Sequence, residues 1–364
     1  MRERMLTVWC LLGKKAGDNT QVLALAEELG WGFQEKRIHA RSWELLVHLG
    51  AGRTLAGIDL TASAPLQPPW PDLVITAGRR NEPVARWIQR QSGGATRLVH
   101  IGRPWAPLQA WDLIVTTGQY FLPTGDNIVH NALPLHRVAE SELAVAARSL
   151  RPQLTSLPRP WIAVLVGGDS GKFVFTAGKG ARMGELVNQL AAEVGGSLLV
   201  SDSPRTPVAA MDAFQAQLTQ PNRCHRCASG ADNPYTGMLA LADAFVVTGE
   251  SMSMLSEAAG RGKPLFVYDL SDTGSPWWLM PHSFGFKPLS HRIAMLLGPR
   301  RMRRDVSRIQ DELVQAGQAN WLTADAIARV GSELSTSDTV SAGSANVSAA
   351  DLQRATAAVR RLFS

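Results

Sequence analysis

The stretch that most decides the fold is AFVVTGESMSMLSEAAGRGKPLFV, which occupies residues 244–267. An apolar run ends at Thr248, a turn of small residues follows, and a helical pattern begins at Ser251. A second apolar run starts after Pro264. Continuous apolar runs of this kind are typical of parallel strands that are covered on both faces. The stretch therefore predicts a strand, a turn, a helix and a second strand.

The same alternation of strands and helices extends along the rest of the chain. The apolar runs that predict strands are Met5–Leu12, Phe33–Ile38, Leu73–Ala77, Arg97–Ile101, Leu113–Thr117, Trp161–Gly167, Ser197–Ser201, Ala244–Thr248 and Pro264–Asp269. Helical patterns lie between them, for example at Thr20–Leu29 and Arg182–Val194. Because alternating strands and helices form parallel sheets covered by helices, the sequence predicts the α/β class with doubly wound parallel sheets.

The pattern starts again near residue 160, after the proline-rich RPQLTSLPRP of residues 151–160. Proline-rich stretches of this kind are typical of hinges and linkers. We therefore predict two Rossmann-like domains, residues 1–150 and 151–289, whose strand ends face a common cleft. A basic helical segment, residues 290–334, and a polar spacer with a short terminal helix, residues 335–364, would follow.

Composition limits the class of protein. The 364 residues are 45% hydrophobic and 19% charged, which is typical of a globular chain. The three cysteines are too few for a disulfide framework, and Cys224 and Cys227 lack the second pair that a structural zinc site needs. The first apolar run is short and leads into a polar glycine loop, so it predicts a buried strand rather than a signal peptide. We expect a cytoplasmic protein without a metal or a bound cofactor.

Part of the net charge of +6 lies in one basic segment. Six arginines, at positions 292, 300, 301, 303, 304 and 308, accompany a single acidic residue, Asp305. Such a cluster suits phosphate or an anionic lipid, and the alternative is a solvated helix face. On the first interpretation, the chain would sit peripherally at the inner membrane through Arg300, Arg301, Arg303 and Arg304. Nucleic acid is not expected as a partner, because aromatic residues do not alternate with the basic ones.

Two glycine-containing loops follow predicted strands. The first, GKKAGDN at residues 13–19, is neither a Walker loop nor the G-x-G-x-x-G of a nicotinamide-binding domain. Its sequence therefore argues against hydride transfer and against an epimerase that uses a nicotinamide cofactor. Asp18 and Asn19 can cap the following helix, or Asp18 can act as a general base. The second loop, GGDSGK at residues 167–172, suits a diphosphate at the opening of the second sheet.

The turn and helix of the opening stretch carry candidate groups for binding a nucleotide. Ser251 and Ser253 offer hydroxyl and backbone N–H groups to phosphate, and the Glu257 carboxylate can accept hydrogen bonds from both ribose hydroxyls. The alternative is that Ser251 caps the helix and Glu257 faces solvent. The complete strand–turn–helix–strand unit favours the first interpretation.

These motifs resemble those of known proteins. Gly-x-Ser followed by Glu-Ala and Gly-Lys-Pro looks like the donor-binding unit of GT-B glycosyltransferases, including lipid A disaccharide synthase and the enzyme that forms lipid II. Longer stretches resemble the ELM family, whose plant members are linked to mitochondrial fission and whose bacterial members have been predicted to be GT-B-like. They include LLGKKAGDNTQ (11–21), PDLVITAGRRNEPVARWI (71–88), WIAVLVGGDSGKFVF (161–175) and NPYTGMLALADAFVVTGESMSMLSEA (233–258).

The resemblance implies a GT-B-like fold with an acceptor in the first domain and a nucleoside diphosphate sugar, such as a UDP-sugar, in the second. The residues implied to hold the phosphates and the ribose are Gly168, Asp169, Ser170, Ser203, Arg205, Gly249, Glu250, Ser251, Met252, Ser253 and Glu257. Asn233 and Tyr235 would face the base, with an ordinary turn as the alternative. Gly17, Arg79, Arg80 and Arg103 would face the acceptor. The candidate catalytic residues are Asp18 and His100.

Two functions are compatible with the resemblance. The first, which we favour, is an inverting and metal-independent glycosyltransferase in which backbone N–H groups and arginine stabilise the phosphate leaving group. The second is a non-catalytic GT-B-like scaffold that acts at a membrane surface or on partner proteins, and the arginine cluster motivates it.

Overall fold

The computed structural model describes residues 6–42, 47, 52–136, 138–170, 173–230, 232–271, 293, 296–299, 303–329 and 347–364. The chain divides into two units. Unit 1 comprises Met1–Arg137, Gly298–Asp305 and Ser348–Ser364. Unit 2 comprises Val138–Leu297 and Val306–Val347.

Unit 1 is built on a parallel sheet whose six described strands have the order β2-β1-β3-β4-β5-β6. The strands are β1 (Val8–Leu12), β2 (Phe33–Arg37), β3 (Leu73–Ala77), β4 (Arg97–Ile101), β5 (Leu113–Thr117) and β6 (Ile128–Asn131). Helix α1 (Ala16–Leu29) follows β1, and helix α2 (Glu82–Gln91) follows β3. Since β1 and β3 are neighbours in the sheet, the loops that follow them lie at the same edge.

The core of unit 1 covers both faces of this sheet. Alternate residues of a strand point to opposite faces, so Val8 and Cys10 pack on one side and Trp9 on the other. Helix α1 and the last helix of the chain, Val347–Arg360, cover the first face, where Leu352 is buried. Helix α2 covers the second face. The last helix is therefore part of the core of unit 1.

Unit 2 repeats the design with a second parallel sheet, whose described strands have the order β12-β11-β10-β7-β8-β9. The strands are β7 (Trp161–Leu165), β8 (Ser197–Ser201), β9 (Asn222–His225), β10 (Ala244–Thr248), β11 (Leu265–Tyr268) and β12 (Asn320–Trp321). Its helices include α3 (Glu140–Leu150), α4 (Ala177–Val194), α5 (Val208–Gln215), α6 (Tyr235–Leu241), α7 (Met252–Ala259) and α8 (Ser307–Gln315). The apolar side chains of α4 and α5 pack on one face of the sheet.

The predicted fold class is confirmed, because each unit is a parallel sheet covered by helices. The division of the chain differs from the predicted one. It falls between residues 137 and 138, so that α3 and the proline-rich residues 151–160 lie inside unit 2. The basic segment is shared, since Gly298–Asp305 belongs to unit 1 and Val306 begins a part of unit 2. Among the described residues, none of the helices combines the length and the apolar character needed to cross a membrane.

Candidate functional site

In unit 2, three loops meet at the edge where neighbouring parallel strands end. Gly167–Ser170 follows β7, Ser203–Thr206 follows β8, and Gly249–Ser251 follows β10. The order β10-β7-β8 places these strands side by side. We call the three loops the three-loop cluster. It contains eight of the eleven residues that the resemblance implied for the phosphates and the ribose. The other three, Met252, Ser253 and Glu257, lie on helix α7, which begins directly after the third loop.

Short hydrogen bonds tie the three-loop cluster together. The N–H of Gly167 donates to Thr248 Oγ1 at 2.7 Å, and the N–H of Gly168 donates to Glu250 Oε1 at 2.7 Å. The guanidinium of Arg205 donates through Nη1 to the carbonyl oxygen of Asp169 at 3.1 Å, and its Nη2 lies 3.5 Å from Glu250 Oε1. The loops therefore hold one another in place through contacts between residues far apart in the chain.

Close packing explains the two adjacent glycines. A Cβ atom on Gly168 would lie 2.1 Å from the carbonyl oxygen of Arg205, and one on Gly167 would lie 1.9 Å from Glu250 Oε1. The N–H of Asp169 donates to the same Arg205 carbonyl at 3.2 Å, and the N–H of Ser170 donates to the carbonyl of Phe173. These N–H groups are engaged within the protein. These contacts support the loops, and the predicted position of Gly168, Asp169 and Ser170 at a diphosphate stays a prediction.

Ser203 also has a structural role in its turn. Its N–H donates to Thr206 Oγ1 at 2.9 Å, its hydroxyl lies 3.0 Å from the same atom, and the N–H of Arg205 donates to its hydroxyl. Thr206, which the sequence analysis did not single out, donates to the carbonyl of Gly167 and so links two of the loops. The Ser-x-x-Thr spacing in this turn was a usable signal for such a contact.

Glu250 is a buried carboxyl group that contacts both other loops of the cluster. Burial raises its pKa to about 7, against the opposing effects of the Arg205 charge and of the Gly168 N–H. Its contacts with the Gly168 N–H and the Arg205 guanidinium order both loops, and its predicted contact with a phosphate stays a prediction. Gly249 is equally constrained, because a Cβ there would lie 2.6 Å from Nε2 of Gln310.

The start of α7 is the part of the cluster best suited to an anion. Ser251 is the N-cap residue, and its side chain makes no capping hydrogen bond. The first N–H groups of a helix have no acceptor within it and carry partial positive charge. Ser251 and Met252 are buried and Ser253 is exposed. The predicted phosphate contacts at Ser251, Met252 and Ser253 are therefore compatible with the geometry.

Tyr235 and Glu257, predicted separately to face the base and the ribose, are in direct contact. The phenol of Tyr235 donates to Glu257 Oε2. Burial raises the pKa of Glu257 while this hydrogen bond opposes the rise, and burial together with the nearby carboxylate raises the pKa of Tyr235. Asn233 accepts a hydrogen bond from the N–H of Tyr235 at 3.0 Å and so orders the start of α6.

A large cavity of about 640 Å³ lies beside Asn233 in unit 2. It is bounded by α3, β9 and the start of α6, and its lining includes both polar and apolar groups. The side chains and backbone that line it belong to Ala146, Ser149, Leu150, Gln153, Arg223, Cys224, His225, Arg226, Asp232, Asn233, Pro234 and Gly237. Asn233, which is predicted to face the base, therefore lies beside an open volume, and its contact with a base stays a prediction.

In unit 1, a smaller pocket of about 50 Å³ lies between the loops that follow β1 and β3. We call it the unit 1 pocket, and its lining residues are Gly13, Lys14, Lys15, Asp18, Ala77, Gly78, Arg79, Arg80 and Asn81. It brings together three residues that the sequence analysis placed at the acceptor or at the catalytic centre, namely Asp18, Arg79 and Arg80. Gly17 is exposed in the first turn of α1.

The structure does not support the alternative in which Asp18 or Asn19 caps α1. Lys15 is the N-cap residue, and no side-chain capping hydrogen bond is made. Asn19 instead holds Gly13, accepting from its N–H at 2.9 Å and donating to its carbonyl at 2.8 Å. Asp18 lies against Gly78, where a Cβ atom would come within 2.6 Å of its Oδ2.

Two other residues of unit 1 that were predicted for the site, Arg103 and His100, make contacts within the protein. Arg103 donates through Nη1 to the carbonyl oxygens of Tyr120 and Phe121, at 2.5 and 3.3 Å, and so braces that turn. His100 is fully buried in β4 with its ring 4.6 Å from that of Trp111, and burial lowers its pKa to about 3. His100 is therefore a core residue, which corrects the prediction that it acts as a catalytic base.

Glu82 is a residue that the sequence analysis did not find. It is fully buried at the start of α2, and its carboxylate accepts hydrogen bonds from the N–H groups of Trp105, at 2.8 and 3.0 Å, and of Ala106, at 2.9 Å. Burial raises its pKa to about 7, and the backbone hydrogen bonds oppose this rise. Arg79 lies 4.7 Å from the ring centroid of Trp105, so Glu82 supports the wall on which this arginine stacks.

The basic segment is only partly described. Arg304 donates to Gln119 Oε1 at 2.6 Å and lies 5.8 Å from the ring centroid of Tyr120, and Arg303 donates to the carbonyl of Gly298. These two arginines therefore make contacts within unit 1. Arg300 and Arg301, together with Lys172 of the second glycine loop, lie outside the described residues.

Residues 16–278 match the family model described as Mitochondrial fission ELM1. The chain belongs to the mitochondrial fission ELM1 family. The mitochondrial fission protein ELM1 of Arabidopsis thaliana is similar to this ELM1-family chain, with 27% identity over 220 residues. The similarity covers 54% of this chain and 51% of the plant protein, so the chain spans about half the length of that relative.

Other proteins of solved structure share the fold of the ELM1-family chain. A Listeria monocytogenes protein, described as a candidate UDP-N-acetylglucosamine 2-epimerase, matches with a TM-score of 0.55 at 15% identity, over 98% of this chain and 96% of that one. The UDP-N-acetylglucosamine 2-epimerase of Neisseria meningitidis, solved with UDP-N-acetylglucosamine, matches with a TM-score of 0.51 at 14% identity, over 98% and 99%. These likenesses confirm the predicted GT-B-like architecture.

Proposed function

We propose that unit 2 binds a nucleoside diphosphate sugar and that the protein transfers the sugar to an acceptor, as a metal-independent and inverting glycosyltransferase. The observation that carries this proposal is that α7 carries both a helix start suited to an anion and Glu257, which is hydrogen-bonded to Tyr235 of the neighbouring helix α6. Ser253 and Glu257 are four residues apart, so they lie on the same face and about 6 Å apart along the axis. A phosphate at the helix start then has its ribose beside Glu257.

Charge complementarity supports the same assignment. A carboxylate accepts several hydrogen bonds, so the one from Tyr235 leaves Glu257 able to accept from a ribose diol. About a quarter of the Arg205 side chain is exposed, 26%, and its guanidinium has five N–H donors. The positive end of α7 and Arg205 can therefore stabilise the diphosphate as it leaves, without a cation.

An inverting transfer also needs a base for the acceptor hydroxyl. His100 is buried in the core, which leaves Asp18 as our candidate, since it lines a pocket rather than a packed interior.

The cytoplasmic location and the peripheral attachment to the inner membrane remain predictions. Sedimentation of the protein with anionic vesicles tests the membrane attachment.

The binding part of the proposal is tested by calorimetric titration of the full chain with UDP, UDP-N-acetylglucosamine and the other nucleoside diphosphates. We expect Glu257→Gln to weaken nucleotide binding by about tenfold or more, because hydrogen bonds to a charged group contribute about 1.5–3 kcal/mol. Glu193→Gln is the matched control, since Glu193 is an exposed residue of α4. The absence of binding at millimolar concentration, or equal binding by Glu257→Gln, would refute the assignment of unit 2.

A double-mutant cycle tests whether Glu257 itself contacts the ribose. Loss of the ribose 2′-hydroxyl and loss of the Glu257 charge remove the same interaction, so their effects should not add. In the wild type, 2′-deoxy-UDP should bind more weakly than UDP, and in Glu257→Gln the two nucleotides should bind equally. Additive effects would place the ribose elsewhere.

The reaction is distinguished by its products. Two similar structures carry the name of UDP-N-acetylglucosamine 2-epimerase, so the absence of a G-x-G-x-x-G loop does not by itself exclude epimerisation. NMR of UDP-N-acetylglucosamine incubated with the protein separates the alternatives. Release of UDP that requires an acceptor indicates transfer, whereas an epimeric nucleotide sugar formed without an acceptor indicates epimerisation and refutes the proposed reaction.

A further inference from the structure

The unit 1 pocket is framed by residues that hold its walls in a fixed arrangement. Asn19 makes two hydrogen bonds with the backbone of Gly13, and buried Asn81 donates through Nδ2 to the carbonyl of Leu11 at 3.1 Å. Gly78 has a φ of +71°, which glycine adopts without strain, and its lack of a Cβ leaves room for Asp18. A ligand entering this pocket meets preorganised walls, which reduces the entropic cost of binding.

The charge of the pocket defines the kind of ligand. Four basic residues line it, Lys14, Lys15, Arg79 and Arg80, against the single carboxylate of Asp18. Lysine supplies a point charge to phosphate, and arginine supplies a planar pair of donors. The volume of about 50 Å³ accommodates a compact group, since one water molecule needs about 10–15 Å³ on the same scale. The pocket therefore suits a single phosphate group rather than a whole nucleotide.

Asp18 adds a second requirement. An ionised carboxylate only accepts hydrogen bonds, and beside a phosphate it is repulsive unless a donor lies between them. A hydroxyl on the carbon next to the phosphate ester supplies that donor. Asp18 thus selects ligands that present a phosphate and a neighbouring hydroxyl together.

We propose that the unit 1 pocket binds a phosphomonoester or phosphodiester that carries a neighbouring hydroxyl group, with Lys15 and Arg80 on the phosphate and Asp18 on the hydroxyl. Phosphate binding stands independently of the proposed transferase activity. The identification of this ligand as the acceptor, with Asp18 beside the hydroxyl that is glycosylated, rests on that activity.

The experiment is a calorimetric titration of the full chain with inorganic phosphate and with glycerol 3-phosphate. We expect glycerol 3-phosphate to bind at least fivefold more tightly than phosphate. Lys15→Gln and Arg80→Gln should each weaken both ligands about tenfold, which corresponds to about 1.4 kcal/mol. Arg148→Gln is the matched control, because Arg148 is an exposed arginine of α3 in unit 2.

Asp18→Asn gives a result that a merely structural role would not produce. Removing the carboxylate relieves its repulsion, so this variant should bind inorganic phosphate more tightly than the wild type and lose its preference for glycerol 3-phosphate. Phosphate binding that is unchanged in both Lys15→Gln and Arg80→Gln overturns the pocket assignment. Equal affinity of the wild type for the two ligands overturns the role of Asp18.

Two further measurements identify the source of the phosphate and separate this proposal from the one for unit 2. Vesicles of phosphatidylglycerol that compete with glycerol 3-phosphate indicate a lipid headgroup, and no competition indicates a soluble phosphate ester. UDP is titrated into the wild type separately. Failure of UDP to bind refutes the function proposed for unit 2 while leaving the unit 1 pocket to be decided by its own variants.

Discussion

Replacing Gly168 with alanine tests whether the three-loop cluster is held together as the structure indicates. The added Cβ atom would lie 2.1 Å from the carbonyl oxygen of Arg205, 2.3 Å from its carbonyl carbon and 2.6 Å from the nitrogen of Thr206. All three are backbone atoms, so no side-chain rotation relieves the contact. The closest one is more than 1 Å short of the 3.4 Å at which ordinary van der Waals contact begins.

Two costs follow from that overlap. Overpacking of a filled interior costs about 1–3 kcal/mol. Moving Gly168 also lengthens the hydrogen bond from its N–H to Glu250, and hydrogen bonds to charged groups contribute about 1.5–3 kcal/mol. We therefore expect Gly168→Ala to lower the free energy of unfolding of unit 2 by about 2–5 kcal/mol, and its melting temperature by about 5–15 °C.

The assay is thermal and urea unfolding followed by circular dichroism, with Gly178→Ala as the control. Gly178 lies in the first turn of α4, where a Cβ atom meets nothing within 4 Å. Alanine is favoured over glycine in helices by up to about 1 kcal/mol, so the control should be neutral or slightly stabilising. The two variants make the same chemical change, and the comparison tests the effect of the space around the new methyl group.

A melting temperature of Gly168→Ala equal to that of the wild type would refute the packing described for the three-loop cluster. If Gly168→Ala were destabilised but retained full UDP affinity, the packing would be supported. That result would also show that UDP binding does not depend on this packing. Loss of both stability and affinity is the expected result, because the Arg205 turn must move to admit the methyl group.

Three further predictions concern other parts of the chain. Burial raises the pKa of Glu250 to about 7, so the folded state retains a proton that the unfolded state loses near pH 4.5. The free energy of unfolding should therefore fall by about 1–3 kcal/mol as the pH rises from about 4.5 to about 7. Glu250→Gln should flatten that dependence in urea titrations, and an unchanged slope would contradict the assignment. Tyr235→Phe removes a hydrogen bond that lowers the pKa of Glu257, so this pKa should rise further in carbon-13 NMR titration, whereas a fall would contradict the contact. Leu352→Ala should lower the free energy of unfolding of unit 1 by about 2–5 kcal/mol, while Leu60→Ala, at a position that is 60% exposed, should change it little.

The strands that the sequence analysis found are mostly those in the middle of the sheets. β3, β5, β7 and β10 are buried along their whole length, so their residues form the continuous apolar runs that parallel strands require. The missed strands, β6, β9 and β12, all lie at the edge of a sheet. β9 has the sequence Asn-Arg-Cys-His, because an edge strand is covered less completely and needs no apolar run.

The loops of the candidate site were located from the sequence, but the roles of their residues were not. Glycine after a strand predicts a sharp turn or close approach to a ligand, and it cannot show which atom approaches. For Gly168, the approaching atoms are the Arg205 backbone, which is distant in the chain. His100 was a candidate catalytic residue, whereas the packing of Trp111 against its ring buries it in the core, and the sequence does not show that contact.

Each of the two proposed anion sites lies beside a loop that is ordered by a buried carboxyl group. Glu82 accepts hydrogen bonds from backbone N–H groups of the Trp105 loop, and Glu250 accepts one from Gly168. Neither carboxyl group is exposed to solvent, and burial raises the pKa of each to about 7. Each orders a loop beside basic residues, Arg79 in unit 1 and Arg205 in unit 2. Since both carboxyl groups change charge near neutral pH, anion binding by both units should depend on pH in the range where phosphate itself titrates.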